Sequence, residues 1–222
     1  MQKLVLFDLD NTLIDRNGAI REWAAQFTAR YSLPDHASTQ LIEAVQERAF
    51  PATFESIRVQ HRLRPTADSL WRQYCSDIAA AVRCPGSVLA GMDALRATGW
   101  RVGIATNGAT DIQNAKLQAT GLIGRVDGVC VSESVGARKP SAAIFEAAAV
   151  ACGSRLSQGG WMVGENPETD IDGGRRAGLR TIWIRNGRSW PVRRSAPDQC
   201  VSDAGAAIAL LLADDRSRSV TT

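Results

Sequence analysis

Four apolar residues at positions 4–7 lead directly into an acidic segment that contains Asp8 and Asp10. Four uninterrupted apolar residues are typical of a parallel strand that is buried on both faces. Because side chains alternate along an extended strand, the carboxylates of Asp8 and Asp10 are expected on the same side. Two acids in one small site repel each other unless a cation lies between them or one acid holds a proton. This segment therefore predicts a buried strand that ends in a site for acid chemistry.

Taken alone, the same segment is compatible with an ordinary strand followed by an acidic turn, because Asp and Asn are common at strand ends. Three further polar segments follow in order. One is the segment 101–108, in which a strand leads through Thr106 and Asn107 into a glycine turn. The next is the segment Arg138–Lys139–Pro140, which opens an alanine-rich helix with Pro140 in its first turn. The last is the strand 161–164, which leads into the acidic loop 165–170. Each alone is also explained by a capped turn or a solvated lysine. Their order along one chain favours a common site beyond the strand ends.

Apolar strands alternate with helical patterns from about residue 86 onward. The predicted strands are 102–106, 126–132, 161–164 and 181–184. This alternation predicts an α/β fold with a parallel sheet that is covered on both faces. Between residues 15 and 85 the period becomes helical, at 20–31, 39–50 and 67–82, with prolines at the breaks. The predicted division is a sheet domain of 1–15 and 86–213, a helical domain of 16–85 and a flexible tail of 214–222.

Four motifs together resemble the haloacid dehalogenase superfamily of aspartate-nucleophile hydrolases. They are Asp8-x-Asp10-x-Thr12, Thr106, Lys139 and Gly164-Glu165 followed by Asp170. The resemblance spans residues 1 to about 213, and the motif spacing is similar to the branch that carries a helical cap inserted after the first strand. It implies a Rossmann-like parallel-sheet core with residues 16–85 as the cap.

The resemblance also implies a role for each motif residue. Asp8 would attack phosphorus and become an aspartyl-phosphate, and Asp10 would protonate the leaving oxygen and then deprotonate the attacking water. Thr106 would donate to the phosphoryl oxygens, together with backbone N–H groups near Leu9 and Asn107. Lys139 would hold both Asp8 and the phosphoryl group as a point charge.

Magnesium is the cofactor that the resemblance implies. Its protein ligands would be the Asp8 carboxylate, the backbone carbonyl of Asp10 and an acid of the fourth motif. Glu165 occupies the position of direct metal contact, where the superfamily usually has aspartate, and Asp170 would lie behind it. Glutamate is an equally hard oxygen ligand, but its extra methylene needs room. Weakened activity, or a site retained only for binding, stays open on this ground. Asp172 is expected to complement a helix dipole.

The implied activity is hydrolysis of a small phosphorylated metabolite. Asp10 argues against dehalogenation, because a halide leaves without being protonated. A phosphomutase stays open as an alternative, since it passes through the same aspartyl-phosphate, and so does a catalytically weakened binding or regulatory protein. A receiver-like regulatory domain is disfavoured, because its phosphorylated aspartate closes an internal strand. The chain has no G-x-x-x-x-G-K-[ST] loop for phosphates.

Substrate choice is expected to depend on the helical domain. Arg16, Asn17 and Arg21 follow the first motif, where the chain enters that domain, and they are the predicted substrate contacts. The net charge of +3 is too small to indicate a nucleic-acid partner. No apolar stretch is long enough for a membrane span, and no secretory signal is apparent, so a cytoplasmic enzyme is expected. A monomer and a homodimer are both compatible with the sequence.

Overall fold

The computed structural model describes residues 2–47, 49–191 and 193–219. Its contacts define two compact units. One contains the sheet and comprises 1–14, 84–107 and 121–222, and the other comprises 15–83 and 108–120. The sequence assigns 108–120 to the sheet domain, whereas the helix in that range packs mainly on a helix of the second unit. The division into a catalytic domain and a cap stays a prediction.

The strands of the sheet are β1 Leu4–Phe7, β2 Arg101–Thr106, β3 Gly128–Val131, β4 Trp161–Gly164, β5 Arg180–Ile184 and β6 Gln199–Val201. The helices are α1 Arg16–Arg30, α2 Ala37–Gln46, α3 Pro51–Gln60, α4 Ala67–Ala81, α5 Gly86–Ala97, α6 Thr110–Ala119, α7 Ser132–Val135, α8 Ala142–Ala151, α9 Gly173–Arg176 and α10 Ala204–Ser219. A π-helical segment, Pro167–Asp172, precedes α9, and two short 3₁₀ turns complete the described elements.

All strand pairs are parallel, and the order across the sheet is β3-β2-β1-β4-β5-β6. Leu4 and Leu6 pack with residues of α8 in one buried cluster. Val5 and Phe7 point to the opposite face and are equally buried. Both faces of β1 are therefore covered, and the α/β prediction is confirmed. β6 was not predicted, because it has only three residues and two of them are exposed.

The structure differs from the predicted helices in two places. The helix expected over 39–50 ends at Gln46, and a new helix begins at Pro51, whose missing N–H is tolerated in a first turn. Pro140 precedes α8 rather than lying in its first turn. Ser141 is the N-cap of α8, with its hydroxyl accepting from the backbone N–H of Ala143 at 3.4 Å.

The helical unit is held by an aromatic cluster. Its members are Trp23, Phe27, Phe54, Trp71 and Tyr74. The ring centroids of Trp23 and Tyr74 are 4.9 Å apart and the rings meet edge to face, the geometry that aromatic quadrupoles favour. Both rings are almost completely buried, so they stabilise the packing of α1 against α4.

The tail that the sequence predicts at 214–222 falls partly outside the described residues. The backbone of 214–219 continues α10, and residues 220–222 are not described. Within the described part of the chain, no single helix has both the length and the apolar character that crossing a bilayer requires. Among the same described residues, α4 and α5 taken as a pair meet it on length and composition alone, with a bend of 84° between them.

Candidate active site

The predicted acids follow two neighbouring strands at the centre of the sheet. Asp8 follows β1 and Glu165 follows β4, and the N–H of Asp8 donates to the carbonyl of Val163 at 2.9 Å. The connections after β1 and after β4 lead to opposite sides, toward β2 and β5. Such a switch point leaves a crevice beyond the strand ends, which is where open α/β sheets bind ligands.

Lys139 joins two acids in this crevice. Its Nζ donates to Oδ1 of Asp8 at 2.6 Å and to Oδ1 of Asp170 at 2.7 Å. The side chain of Lys139 is 2 % exposed, and those of Asp8 and Asp170 are 11 % and 1 % exposed. The three charged groups are therefore desolvated together, and each depends on the others for compensation. The structure brings these three predicted residues into direct contact.

Burial dominates the electrostatics of this cluster. Burial raises the pKa of Asp8 from 3.8 to about 7. The positive charge of Lys139 opposes this shift, whereas the negative charges of Asp170 and Asp10 add to it. Burial alone would lower the pKa of Lys139, but the charges of Asp170 and Asp8 and their hydrogen bonds outweigh it and hold that pKa above its usual value. Lys139 is thus a permanent cation in the site.

Asn107 positions Lys139 through its backbone. The Nδ2 of Asn107 donates to the carbonyl of Lys139 at 3.0 Å, and the N–H of Lys139 donates to Oδ1 of Asn107 at 2.9 Å. This two-way pairing uses both ends of the side-chain amide. Asn107 was predicted to contact substrate. The structure shows that its side chain holds the lysine backbone, which leaves the backbone N–H as the group predicted to meet a phosphate.

The remaining members of the first two motifs lie at adjacent strand ends. Thr12 donates to Oδ2 of Asp8 at 3.0 Å, so the two carboxylate oxygens of Asp8 have different partners. Thr106 ends β2, is 1 % exposed, and lies on the strand whose Ile104 pairs with Phe7. Asp10 lies in the turn after β1 and is half-buried. Its negative charge contributes to the raised pKa of Asp8.

Asp170 is held by the loop that follows β4. Its Oδ2 accepts from the N–H of Asn166 at 2.9 Å, and Asn166 in turn caps the π-helical segment through the N–H groups of Glu168 and Thr169, both at 3.0 Å. Gly164 leaves the space for this carboxylate. A Cβ on Gly164 would lie 2.3 Å from Oδ2 of Asp170 and 2.5 Å from both Cβ and Cγ.

Replacing Gly164 with alanine is expected to displace Asp170 and, through it, Lys139. The clash involves Cβ of Asp170, so a rotamer change alone cannot relieve it, and overpacking of this kind costs about 1–3 kcal/mol. Urea unfolding measures the loss of stability. Gly124→Ala is the matched control, because nothing lies within 4 Å of a Cβ there, and it is expected to change stability by less than about 0.5 kcal/mol. Equal effects of the two substitutions would contradict the steric role of Gly164.

Glu165 is bound by an arginine. Nη2 of Arg188 donates to the Glu165 carbonyl at 2.8 Å and also contacts its carboxylate, and Nε1 of Trp183 donates to the same carbonyl at 2.9 Å. Burial and the charge of Asp170 raise the pKa of Glu165, while Arg188 opposes them. Sequence reasoning placed this carboxylate on a metal. In the structure it contacts Arg188, and its role as a metal ligand stays a prediction.

The donor set of Asp8 and Asp170 fits a divalent cation. Two buried carboxylates share one lysine, so their charges are not fully neutralised. Mg²⁺ usually takes one or two carboxylates and completes its octahedron with waters and substrate phosphate. Among the described residues, no three His, Cys, Asp or Glu side chains gather as a metal-binding group. Binding of magnesium at this site stays a prediction.

The three predicted substrate contacts belong to the helical unit. The guanidinium of Arg16 donates to the backbone carbonyls of Val45 and Gln46, both at 2.7 Å, and Oδ1 of Asn17 accepts from Nε2 of Gln46 at 3.2 Å. Arg21 is exposed. Arg16 and Asn17 thus tie α1 to the end of α2. A role of these residues in binding substrate stays a prediction.

Comparison with protein-family sequence models identifies the family of this chain. The sequence model of the haloacid dehalogenase-like hydrolases matches residues 5–184. The chain belongs to the haloacid dehalogenase-like hydrolase family. The matched range begins in β1 and ends with β5, so it contains every motif that carried the resemblance.

Relatives of this family member include named phosphatases. The chain is 35 % identical over 108 residues to the phosphoserine phosphatase of Thermus thermophilus and 39 % identical over 100 residues to a pyrimidine 5′-nucleotidase of Escherichia coli. These matches cover 49 % and 45 % of this chain but only 43 % and 44 % of those proteins. A glyceraldehyde 3-phosphate phosphatase of Pyrococcus abyssi is 28 % identical over 202 residues, which is 85 % of this chain and 83 % of that protein.

Solved structures share the fold of the haloacid dehalogenase-like hydrolases with this chain. A hydrolase of this type from Bacillus subtilis superposes with a TM-score of 0.75 at 18 % identity, over 95 % of this chain and 98 % of that one. At this level of identity the likeness concerns the fold alone. It agrees with the six-stranded parallel sheet described above.

Sequence reasoning missed three contributors to the site of this haloacid dehalogenase-like protein. They are the Asn107 side chain as a support for Lys139, Thr12 as a donor to Asp8, and Arg188 as the partner of Glu165. Thr12 stands inside the first motif, so its contact had a local signal. Arg188 had none, because only the pairing of β4 with β5 brings it beside Glu165.

Proposed function

We propose that this chain is a magnesium-dependent phosphomonoester hydrolase that acts on a small phosphorylated metabolite through an aspartyl-phosphate on Asp8. The observation that carries the proposal is the buried cluster in which Lys139 bonds both Asp8 and Asp170 at the switch point of the sheet. A desolvated nucleophile next to a fixed cation is suited to attack on an anionic phosphoryl group. The named phosphatase relatives support the same reaction class.

The proposed reaction begins with Asp8. A carboxylate oxygen of Asp8 attacks phosphorus, and the bond from phosphorus to the ester oxygen breaks. Asp10 gives a proton to the leaving oxygen, so that an alcohol departs. Asp10 then takes a proton from water as the water attacks the aspartyl-phosphate, which releases inorganic phosphate and restores the Asp8 carboxylate.

Charge on the transferring group is stabilised by fixed donors. Lys139 supplies a positive charge that Asn107 and Asp170 hold in place. Thr106, at the end of β2, donates its hydroxyl to a phosphoryl oxygen, and the N–H groups near Leu9 and Asn107 assist. Asp8, Asp170 and the backbone carbonyl of Asp10 are the groups that would hold magnesium. When bound, the ion supplies further neutralisation of the phosphoryl charge.

The test is release of inorganic phosphate from a panel of phosphomonoesters. Phosphoserine, a pyrimidine nucleoside 5′-monophosphate, glyceraldehyde 3-phosphate and phosphoglycolate sample amino-acid, nucleotide, sugar and small-acid substrates. We expect one of these classes to be hydrolysed with a kcat of about 1 s⁻¹ or more in the presence of Mg²⁺. We expect EDTA to abolish release and added Mg²⁺ to restore it, because charge neutralisation would be lost and regained.

Two results would contradict the proposal. One is the absence of release from every member of the panel with both Mg²⁺ and Mn²⁺. The other is release that EDTA leaves unchanged, since this would remove the metal from the reaction. Transfer of the phosphoryl group within the substrate, without release, would identify a phosphomutase instead.

A further inference from the structure

A second charged network lies beside the Lys139 cluster. The loop after β4 carries the acids Glu165, Glu168, Asp170 and Asp172. The connection between β5 and β6 carries arginines that reach this loop. Arg194 donates to Glu168 at 3.2 Å and also contacts Asp172, while Arg188 contacts Glu165. Three of these four acids are therefore paired with arginine, and Asp170 is paired with Lys139.

Arg188 holds Glu165 at two points. The same Nη2 donates to the carbonyl of Glu165 at 2.8 Å and contacts its carboxylate Oε2. The guanidinium is itself fixed, because its Nε donates to the carbonyl of Arg185 at 3.2 Å and its central carbon lies 5.8 Å from the ring centroid of Trp183. A charge-assisted contact with a pre-oriented guanidinium is stronger than one with a mobile side chain.

The Glu165 side chain is well placed for such a hold. Glu165 is 18 % exposed and Arg188 is 47 % exposed, so solvent screens the pair in part. Trp183 donates to the same backbone carbonyl at 2.9 Å, which fixes the backbone from which the side chain extends. A carboxylate that is neutralised by a guanidinium attracts a divalent cation less strongly than a free carboxylate does.

We propose that Arg188 is a positioning residue that withholds the Glu165 carboxylate from magnesium and so weakens the affinity of the site for the ion. This inference rests on the proposed function, because it concerns the ion of that same site. It explains how a glutamate is accommodated where the family usually has aspartate: the longer side chain ends on Arg188. Asp8, Asp170 and the backbone carbonyl of Asp10 would then hold the ion.

A double-mutant cycle on Mg²⁺ binding tests the inference. Calorimetric titration of the substrate-free protein with Mg²⁺ alone measures Kd for the wild type, Arg188→Gln, Glu165→Gln and the double variant. We expect Arg188→Gln to tighten binding by about 10-fold, because it frees an additional carboxylate oxygen. We expect Glu165→Gln to change Kd by less than about 3-fold in the wild type and to abolish the gain in the Arg188→Gln background.

Two further variants separate this effect from a general change of charge. Arg194→Gln removes a positive charge that pairs with the same acidic loop, and we expect it to change Kd by less than about 3-fold. Glu165→Asp keeps the net charge but shortens the side chain that reaches Arg188. We expect it to tighten Mg²⁺ binding as Arg188→Gln does. Circular dichroism is the measurement that checks whether each variant is folded.

Three results would overturn the inference. Weakening of about 10-fold by Glu165→Gln alone would show that Glu165 already binds the ion. Unchanged or weaker binding by Arg188→Gln, or an equal gain from Arg194→Gln, would remove the specific role of Arg188. In these cases phosphate release by the wild type would leave the proposed function standing. Absence of Mg²⁺ binding in the wild type and in every variant would instead overturn the metal requirement of the proposed function, and the inference with it.

Discussion

Replacing Asp8 with asparagine is expected to lower kcat for phosphate release by at least about 10⁴-fold, because an amide oxygen is a far weaker nucleophile than a carboxylate. The substitution preserves the shape of the side chain. Lys139 can still donate to the remaining oxygen, and the Thr12 hydroxyl can accept from the new NH₂ group instead of donating. The loss is therefore chemical rather than structural, and the folded state is expected to remain intact.

The measurement is single-turnover phosphate release, with mass spectrometry of the acid-quenched protein. The wild type is expected to gain one phosphoryl group on the peptide that contains Asp8, and the Asp8→Asn variant to gain none. Asp35→Asn is the control, because Asp35 is an exposed acid of the helical unit, and it should retain wild-type kcat. A variant at position 8 that still releases phosphate within 10-fold of the wild-type rate would exclude Asp8 as the nucleophile.

Replacing Lys139 with methionine is expected to lower both activity and stability. The rate should fall by about 10²–10³-fold, since a preorganised charge on the transferring group is lost. The free energy of unfolding should fall by about 3 kcal/mol or more at pH 8, because Asp8 and Asp170 would remain buried without their cation. Lys139 therefore contributes to the folded state as well as to the proposed reaction.

The stability loss should depend on pH in a defined direction. The pKa of Asp8 rises from 3.8 to about 7 on folding, so the folded protein binds a proton that the unfolded chain releases between these values. Removing Lys139 removes a charge that lowers this pKa, and the penalty for an ionised Asp8 grows. Below about pH 7 Asp8 is protonated in both folded proteins, so its part of the loss is small and constant. The loss of stability should grow as the pH rises above 7, because the wild type ionises Asp8 there while the variant, with its higher pKa, does not.

Urea unfolding in EDTA at pH 8 and at pH 5 measures this difference. Lys3→Met is the control, because Lys3 is exposed, and it should change the free energy of unfolding by less than about 0.5 kcal/mol at either pH. A penalty for Lys139→Met that is equal at both pH values, or larger at pH 5, would show that the buried carboxyls do not set it.

Local sequence patterns predicted most of the sheet correctly. Strands β1 and β4 have the predicted bounds, and β2, β3 and β5 differ from theirs by one or two residues, because a run of buried apolar residues has a strong local signal. β6 is three residues long and two of them are exposed, so it lacks that signal. Helix α3 begins at Pro51, where the sequence predicts a break, but it is not among the predicted helices.

The sequence by itself identified the residues that are proposed to carry the chemistry. Asp8, Lys139 and Asp170 were identified from motif order, although 131 positions separate Lys139 from Asp8. Short-range patterns can identify residues that are far apart in sequence, because each of these residues lies next to a strand or helix that the pattern predicts. The pattern also marked Glu165 as a departure from the family.

Only the tertiary structure decided what these side chains contact. The Asn107 side chain holds the backbone of Lys139, and the Glu165 carboxylate and carbonyl contact Arg188. Such contacts arise where strands that are distant in sequence become neighbours, as β4 and β5 do. A residue pattern records the type of each side chain, but the partner of a buried charge depends on which groups the sheet order places within hydrogen-bonding distance.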